Sequence, residues 1–229
     1  MSNRDPEVPG PTSDVPALPA ATVVLLREAR DAPEVLLLRR NAKLAFHGGA
    51  WVFPGGRVDV GEGTGEPGAR VAAVREVREE AGLAIDPASL VQLSHWTTPE
   101  GVPRRFATWF FVAEHGGAEV RVDGGEIHEH RWIAARDALA AQRAGAIELP
   151  PPTFVTLTVL AAHRSPREAI EVAAANEPTV YLPRIVRSED GGASLYPGDA
   201  GWDSRDVDAP GPRHRLLFLA SGWRYLRSG

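Results

Sequence analysis

Two segments decide how this chain folds: Gly55-Gly56-Arg57-Val58-Asp59-Val60-Gly61-Glu62 and, after a loop, Arg75-Glu76-Val77-Arg78-Glu79-Glu80-Ala81-Gly82-Leu83. The apolar run from Ala50 to Pro54 precedes them, and the pattern predicts a strand, a glycine turn, a loop and a helix. On a helix that advances about 100° per residue, one side is charged and the other is apolar. The charged arc, roughly 140° wide, comprises Arg75, Glu76, Glu79 and Glu80. The predicted core side comprises Val71, Val74, Val77 and Ala81.

The acidic patch on this helix indicates a cation site. Like charges three and four residues apart destabilise a helix by a few tenths of a kcal/mol per pair, so a cation is expected beside them. Mg²⁺ and Mn²⁺ fit best, because hard divalent cations take oxygen ligands and share them with substrate phosphates. Gly55 and Gly56 let the backbone approach closely and offer a carbonyl oxygen. The alternative is a solvated charged helix face.

The spacing of these residues resembles the box of the Nudix hydrolases. The fixed positions of that box are filled by Gly56, Glu62, Arg75, Glu76, Val77, Glu79, Glu80, Gly82 and Leu83. One departure is that twelve residues separate Glu62 from Arg75, where the family pattern has seven. The five extra residues lie in a Gly-rich loop that can lengthen at little cost. The insertion leaves the position of Glu62 relative to the helix undefined.

The resemblance implies an α/β fold of the α+β kind, a Nudix-type α/β/α sandwich with a mixed sheet. It also implies metal-activated hydrolysis of a diphosphate, with Arg75 orienting the carboxylates. The residues so implied as catalytic are Arg75, Glu76, Glu79 and Glu126. Those implied as metal ligands are Glu76, Glu79, Glu80, Glu126 and the carbonyl of Gly56. Glu129 is the alternative to Glu126, although it can also pair with Arg131 at the surface.

The segment from Leu36 to Asp59 resembles the coenzyme A diphosphatase signature of the same family. The matching positions are Leu36, Leu37, Arg40, Leu44, His47, Gly49, Phe53, Pro54, Gly55, Gly56 and Asp59. Leu38, Ala45 and Ala50 replace the usual Thr, Arg and Gln. Thr98-Pro99-Glu100 with Arg104-Arg105-Phe106 resembles the peroxisomal group of that branch. Substrate contacts are expected from Arg40, His47 and Arg105, and the alternative for the arginines is a surface position at strand ends.

Composition changes along the chain predict three parts. The first twenty residues contain five prolines and no continuous apolar run, which is typical of a disordered tail rather than a signal peptide. Residues 21–175 are predicted to form the Nudix domain. Residues 176–229 are predicted to form a β-rich extension that packs on this domain, where it covers the pocket or makes a homodimer contact.

Composition also restricts the function classes. The chain has 229 residues, 43% apolar content, no cysteine and a net charge of -5. Disulfides and thiolate metal sites are excluded, and a cytoplasmic enzyme is expected. The negative charge argues against nucleic acid as the main partner, and no apolar run is long enough to span a membrane. The expected partner is a small nucleotide-diphosphate substrate.

Three functions remain open at this point. The first is hydrolysis of coenzyme A or acyl-coenzyme A into adenosine 3',5'-bisphosphate and a phosphopantetheine. The second is the same chemistry on ADP-ribose, NADH, a dinucleotide or a nucleoside triphosphate. The third is a Nudix domain that senses a nucleotide without hydrolysing it. Loss of box carboxylates would be the sign of the third function, and none is lost in this chain.

Overall fold

The computed structural model describes residues 15–43, 48–188 and 191–228. Within these ranges it contains one large mixed sheet, one small antiparallel sheet and four α-helices. None of the helices in the described ranges is long and apolar enough to cross a membrane. His47, one of the predicted substrate contacts, lies outside the described residues.

The large sheet has eight strands. They are β1 (Leu18–Arg27), β2 (Glu34–Arg40), β3 (Trp51–Val52), β4 (Gly55–Arg57), β5 (Val91–Thr97), β6 (Phe106–Glu114), β7 (Ile127–Ala134) and β8 (Thr179–Tyr181). The main path is β3-β2-β1-β6-β5-β8, with β4 paired to β1 and β7 paired to β2. The β1–β6 and β5–β8 pairs are parallel, and the other pairs are antiparallel.

Strand β1 is central because one of its edges is shared by two partners. Leu26 and Arg27 pair with β2, whereas Ala20 to Thr22 pair with β4. The other edge of β1 runs along the whole of β6. This arrangement brings the glycines of β4 into the middle of the sheet.

Helices cover both faces of the large sheet. They are α1 (Gly65–Ala81), α2 (Ala135–Arg143), α3 (Pro151–Leu160) and α4 (Pro166–Ala175). Alternate residues of β1 divide between two cores: Ala21, Val23 and Leu25 pack with α1, whereas Val24 and Leu26 pack with α3 and α4. The predicted α/β/α sandwich with a mixed sheet is therefore confirmed.

The small sheet consists of four antiparallel strands in the order β12-β11-β10-β9. These are β9 (Arg184–Ser188), β10 (Gly191–Leu195), β11 (His214–Leu219) and β12 (Gly222–Arg227). Tyr196 and Leu216 join the core on the α3 and α4 face, so the small sheet packs on that face of the large sheet.

A buried ion pair anchors the long connection between β10 and β11. Arg215 donates from Nε to Oδ2 of Asp199 at 2.7 Å and from Nη2 to Oδ1 at 2.6 Å. The backbone N–H groups of His214 and Gly201 donate to the same carboxylate. Both charged side chains are buried, so the pair fixes the connection because neither charge can be left alone without a large penalty.

Three expectations from the sequence need correction. The tail was expected to reach residue 20, but β1 begins at Leu18 and pairs with Phe106. Val71 was expected in the core but is 51% exposed, because the buried stripe of α1 runs through its alanines instead. Strand β3 lies in the apolar run where a strand was expected, but strands β4 and β12 were not foreseen, and β8, which follows the expected boundary at residue 175, belongs to the large sheet.

We predict that Asp199→Asn destabilises the fold in a pH-dependent way. Burial alone raises the pKa of Asp199, but hydrogen bonds from Arg215, His214 and Gly201 hold that pKa below its usual value. A carboxyl with a depressed folded pKa stabilises the fold above its unfolded pKa, near 4, and this contribution is lost as pH falls. Removing one partner of a buried pair costs roughly 3–5 kcal/mol at pH 7.

Urea unfolding at pH 7 and below pH 4 measures this loss. Asp203→Asn is the control, because Asp203 is exposed and its Oδ1 forms only a loose surface pair, 3.6 Å from Arg184 Nη1. This substitution should change the free energy of unfolding by less than about 0.5 kcal/mol. Equal effects of the two substitutions, or a loss for Asp199→Asn that does not shrink at low pH, would contradict the role of the pair.

Candidate active site

Glu80 ties helix α1 to the turn at the start of β4. Its Oε2 accepts the backbone N–H of Gly55 at 2.9 Å, and the residue is 6% exposed. The prediction that Glu80 lies on the charged face of α1 is wrong. Glu80 belongs to the buried face of the helix, together with Ala69, Ala73 and Val77. Burial raises the pKa of the Glu80 carboxyl to about 8, against the opposing hydrogen bond from Gly55.

Arg75 gathers three other carboxylates of the box. Its Nε donates to Glu62 Oε1 at 2.7 Å, and its Nη1 donates to Glu76 Oε1 at 2.7 Å and to Glu79 Oε2 at 3.0 Å. Nη2 donates to the carbonyl of Arg57 at 2.9 Å, which ties the helix to the end of β4. One guanidinium thus holds the carboxylates in fixed positions, and its planar set of donors suits this task.

The five-residue insertion does not displace Glu62. The Glu62 carboxylate accepts the backbone N–H of Asp59 at 2.6 Å as well as the Arg75 guanidinium. Gly68, in the first turns of α1, packs against Gly63 so closely that a Cβ on Gly68 would lie 2.7 Å from the Gly63 carbonyl carbon. The extra residues therefore form a compact turn, and Glu62 keeps its place beside the helix.

The Glu76 carboxylate approaches the backbone of β4 closely at Gly56. A Cβ on Gly56 would overlap the Glu76 carboxylate. Burial raises the pKa of Glu76 while Arg75 lowers it, and the charges of Glu79 and Glu126 add to the increase. The backbone of β4 and the carboxylate of Glu76 are thus in direct contact, as expected if the Gly56 carbonyl shares a ligand with the helix.

Glu126 lies on the opposite side of the site, where Arg40 holds it. Arg40 Nη2 donates to Glu126 Oε1 in a short hydrogen bond. The Glu126 charge contributes to the raised pKa of both Glu76 and Glu80, which places it near these carboxylates. Glu129 instead pairs with Arg39 and Arg131, each at 3.3 Å, as in the surface alternative.

Local hydrogen bonds fix the loop that carries Glu126. The Asp123 carboxylate accepts the backbone N–H groups of Glu126 and Ile127 at 3.0 and 2.9 Å. Asn41 donates from its backbone N–H to the Glu126 carbonyl at 2.8 Å. Sequence reasoning missed Asp123, although its place before two glycines, Gly124 and Gly125, is a turn signal.

Arg105 was expected to contact substrate, but it serves the backbone in this structure. It donates to the carbonyls of Thr98 and Val15 at 3.2 and 3.0 Å, where it joins the start of β1 to the loop before β6. Arg40 is placed differently. It lines a mainly apolar cavity that lies beside the carboxylates. Its Nε is buried and has no hydrogen-bond partner among the described residues.

The carboxylates do not form a preassembled metal cage. Across residues 15–43, 48–188 and 191–228, no three Asp, Glu, His or Cys side chains converge as metal ligands do. Glu76 and Glu79 turn toward Arg75 instead. The donor set nevertheless suits a hard divalent cation, because it is made of oxygens and includes a buried carboxylate with one backbone donor. Glu76, Glu79, Glu80, Glu126 and the Gly56 carbonyl are the groups that would hold it.

A cavity of about 420 Å³ opens beside this carboxylate cluster. Gly55 and Arg40 line its end nearest the cluster, and strands of both sheets and the start of α3 form its walls. Its lining is mainly apolar and includes Val52, Phe53 and Phe110 from the large sheet. No local sequence pattern predicts this cavity, since its walls come from segments that are more than a hundred residues apart.

The arrangement agrees with three comparisons. A model of the NUDIX domain matches residues 16–151. A Caenorhabditis elegans relative named as a putative nudix hydrolase is 27% identical over a gapped alignment of 177 positions, which covers 62% of this chain and 59% of the relative. This chain therefore spans about three fifths of that relative's length.

Two further similarities extend over more of the chain. An acyl-coenzyme A diphosphatase of Xenopus laevis is 23% identical over a gapped alignment of 286 positions, which covers 80% of this chain and 75% of the relative. The crystal structure of a NUDIX hydrolase from Alicyclobacillus acidocaldarius has a TM-score of 0.63 at 25% identity, covering 72% of this chain and 99% of that one. Because the family model matches more than half of the sequence and the fold and box geometry agree with it, this chain belongs to the Nudix family.

Proposed function

We propose that this protein is a divalent-metal-dependent pyrophosphatase that hydrolyses nucleoside diphosphate derivatives, with coenzyme A or acyl-coenzyme A as its substrate. One observation carries the proposal. The two residues that hold the opposing carboxylates, Gly55 for Glu80 and Arg40 for Glu126, both line the same apolar cavity. A diphosphate at the cluster can therefore extend an attached group into that cavity.

The excess of negative charge at the cluster supports a metal requirement. Moving the Glu80 pKa from its usual 4.5 to about 8 disfavours the anion by roughly 5 kcal/mol. Arg40 and Arg75 offset only part of the negative charge of the glutamates around Glu80. Mg²⁺ or Mn²⁺ would supply the missing positive charge, neutralise the phosphates and lower the pKa of a coordinated water.

The residues divide the work by position. Glu80 and Glu76 lie deepest, against β4, so they suit ligand roles. Glu79 is more exposed and reaches the site from the last turns of α1. Glu126 is on the opposite, more open side, where its pairing with Arg40 holds the carboxylate in place for a general-base role. Arg75 positions the carboxylates and is placed away from the cavity lining.

The proposed reaction is a hydrolytic displacement at phosphorus. A water oxygen attacks one phosphorus of the P–O–P bridge, Glu126 accepts the proton, and the bridging oxygen leaves with the second phosphate. Coenzyme A would give adenosine 3',5'-bisphosphate and a phosphopantetheine. Arg40 Nε has no hydrogen-bond partner among the described residues, so this side chain suits donation of a hydrogen bond to a phosphate oxygen.

Three observations favour coenzyme A within this reaction class. The segment from Leu36 to Asp59 carries most of the coenzyme A diphosphatase signature. A relative whose alignment covers 80% of this chain is named as an acyl-coenzyme A diphosphatase. The cavity next to Arg40 is mainly apolar, which suits a pantetheine or acyl group better than a second charged nucleotide. The choice between the two metals, the cytoplasmic location and the homodimer stay predictions.

We predict that Glu79→Gln abolishes this activity without affecting the fold. The protein and the variant are incubated with Mg²⁺ or Mn²⁺ and with coenzyme A, acetyl-coenzyme A, ADP-ribose, NADH or ATP, and products are read by mass. The wild-type protein should cleave the coenzyme A compounds fastest. The variant should lose at least about 100-fold in rate, because a ligand charge at the transferring phosphate is removed.

Glu171→Gln is a matched control for this variant. Glu171 is 62% exposed and pairs with Arg167 four residues away on a helix, as Glu79, 59% exposed, pairs with Arg75. The control should retain full activity. Absence of turnover on every substrate would overturn the enzyme proposal in favour of a nucleotide sensor, and preference for another diphosphate would overturn coenzyme A as the substrate.

We also predict that Glu126 and Glu129 differ sharply in importance. Glu126→Gln should lower kcat by about 10²-fold or more with little change in KM, since general bases contribute 10²–10⁴-fold. Glu129→Gln, three residues away on the same strand region, should change kcat by less than twofold. Steady-state kinetics and thermal unfolding of both variants test this, and a larger kcat loss for Glu129→Gln would reverse the assignment.

A further inference from the structure

The cavity exists because the small C-terminal sheet faces the large sheet across a gap. Ile185, Ser194 and Phe218 of the small sheet form one wall. Val52, Phe53 and Phe110 of the large sheet form the other. Three consecutive prolines, Pro150 to Pro152, close the side where α3 begins. The extension is therefore part of the ligand-binding architecture and not only a cover over the core.

The chemistry of the lining selects an apolar ligand. Arg40, at the end near the carboxylates, is the charged residue among the described residues that line the cavity. The volume of about 420 Å³ falls within the range of small-molecule sites, roughly 300–1,000 Å³. A second nucleotide would bring charged phosphate or polar ribose against apolar walls, so its desolvation would be uncompensated.

A few hydroxyl groups interrupt the apolar walls. Thr153, Ser194 and Tyr196 line the cavity and are buried. The Ser194 hydroxyl accepts the indole N–H of Trp96 at 3.2 Å. These hydroxyl groups are buried within the walls, so the surface that a ligand meets remains mainly apolar.

We propose that this cavity binds the acyl chain of an acyl-coenzyme A substrate between the apolar walls of the two sheets. The inference rests on the proposed function, because the diphosphate at the carboxylate cluster fixes which end of the substrate enters. Arg40 then marks the boundary between the phosphate end and the apolar end. The small sheet makes the enzyme prefer acylated over free coenzyme A.

Chain-length dependence provides the first test. Each fully buried methylene is worth about fourfold in affinity. The wild-type kcat/KM should therefore rise at least tenfold from acetyl- to octanoyl-coenzyme A, with free coenzyme A lowest. A kcat/KM that is flat or falls along the series would overturn the inference even if coenzyme A itself is cleaved.

Ile185→Asp provides the second test, because it places a charge on the cavity wall outside the catalytic cluster. Ile185 is 49% exposed, so the variant should still fold. It should lower kcat/KM for octanoyl-coenzyme A by about tenfold and lower that for coenzyme A much less, because free coenzyme A has no acyl chain to pack against this wall. Val180→Asp is the matched control: Val180 is 52% exposed on β8 and is not part of the cavity lining. Equal losses for both variants, or for both substrates, would overturn the inference.

A binding measurement separates this inference from the proposed function. Calorimetric titration with S-octanoyl-pantetheine, which has no diphosphate, should show binding to the wild-type protein and at least tenfold weaker binding to Ile185→Asp. Binding without cleavage of any acyl-coenzyme A would support the cavity inference while the proposed function fails. Absence of binding to the wild-type protein would overturn the cavity inference whatever the hydrolysis assays show.

Discussion

The contact between the Glu80 carboxylate and the Gly55 backbone is the constraint on which the site depends. A carboxylate in the buried stripe of a helix is unfavourable, and one backbone donor compensates only part of its desolvation. This contact nevertheless positions the site, because it sets the distance and rotation of α1 relative to β4. Glu76 then lies against the backbone at Gly56, and Arg75 reaches Glu62, Glu79 and the Arg57 carbonyl. The position of helix α1 therefore determines where the candidate metal-ligating carboxylates lie.

Two arginines organise opposite sides of this cluster in different ways. Arg75 collects carboxylates from the loop and the helix and so holds the cluster together when no cation is near. Arg40 holds Glu126 and also borders the cavity, which couples the reacting end of the site to the apolar end. The small sheet contributes the far wall, and the Asp199–Arg215 pair fixes the long connection within it. Recognition and chemistry therefore come from different parts of the chain that meet at Arg40 and Gly55.

Much of the fold and of the cluster was accessible from the sequence, because both depend on local patterns. The box residues are short-range signals, and the structure has Arg75 holding Glu62, Glu76 and Glu79 in one cluster. Glu80 was assigned to the wrong face, since four alanines and a valine define the buried stripe and alanine carries little hydrophobic signal. The position of Glu62 depended on how the inserted turn packs on Gly68, which spacing alone does not reveal. The cavity depends on contacts between distant segments, so no local pattern predicts it.

A crystal structure of the wild-type protein with Mn²⁺, located by its anomalous scattering, tests the central claim most directly. The account predicts an ion among Glu76, Glu79, Glu80 and the Gly56 carbonyl, with oxygen ligands at about 2.1 Å. It also predicts that Glu76 leaves Arg75 to reach the ion, while Arg75 keeps Glu62. An ion bound elsewhere, or a fully loaded crystal in which Glu80 stays on Gly55 without contacting any ion, would contradict the account.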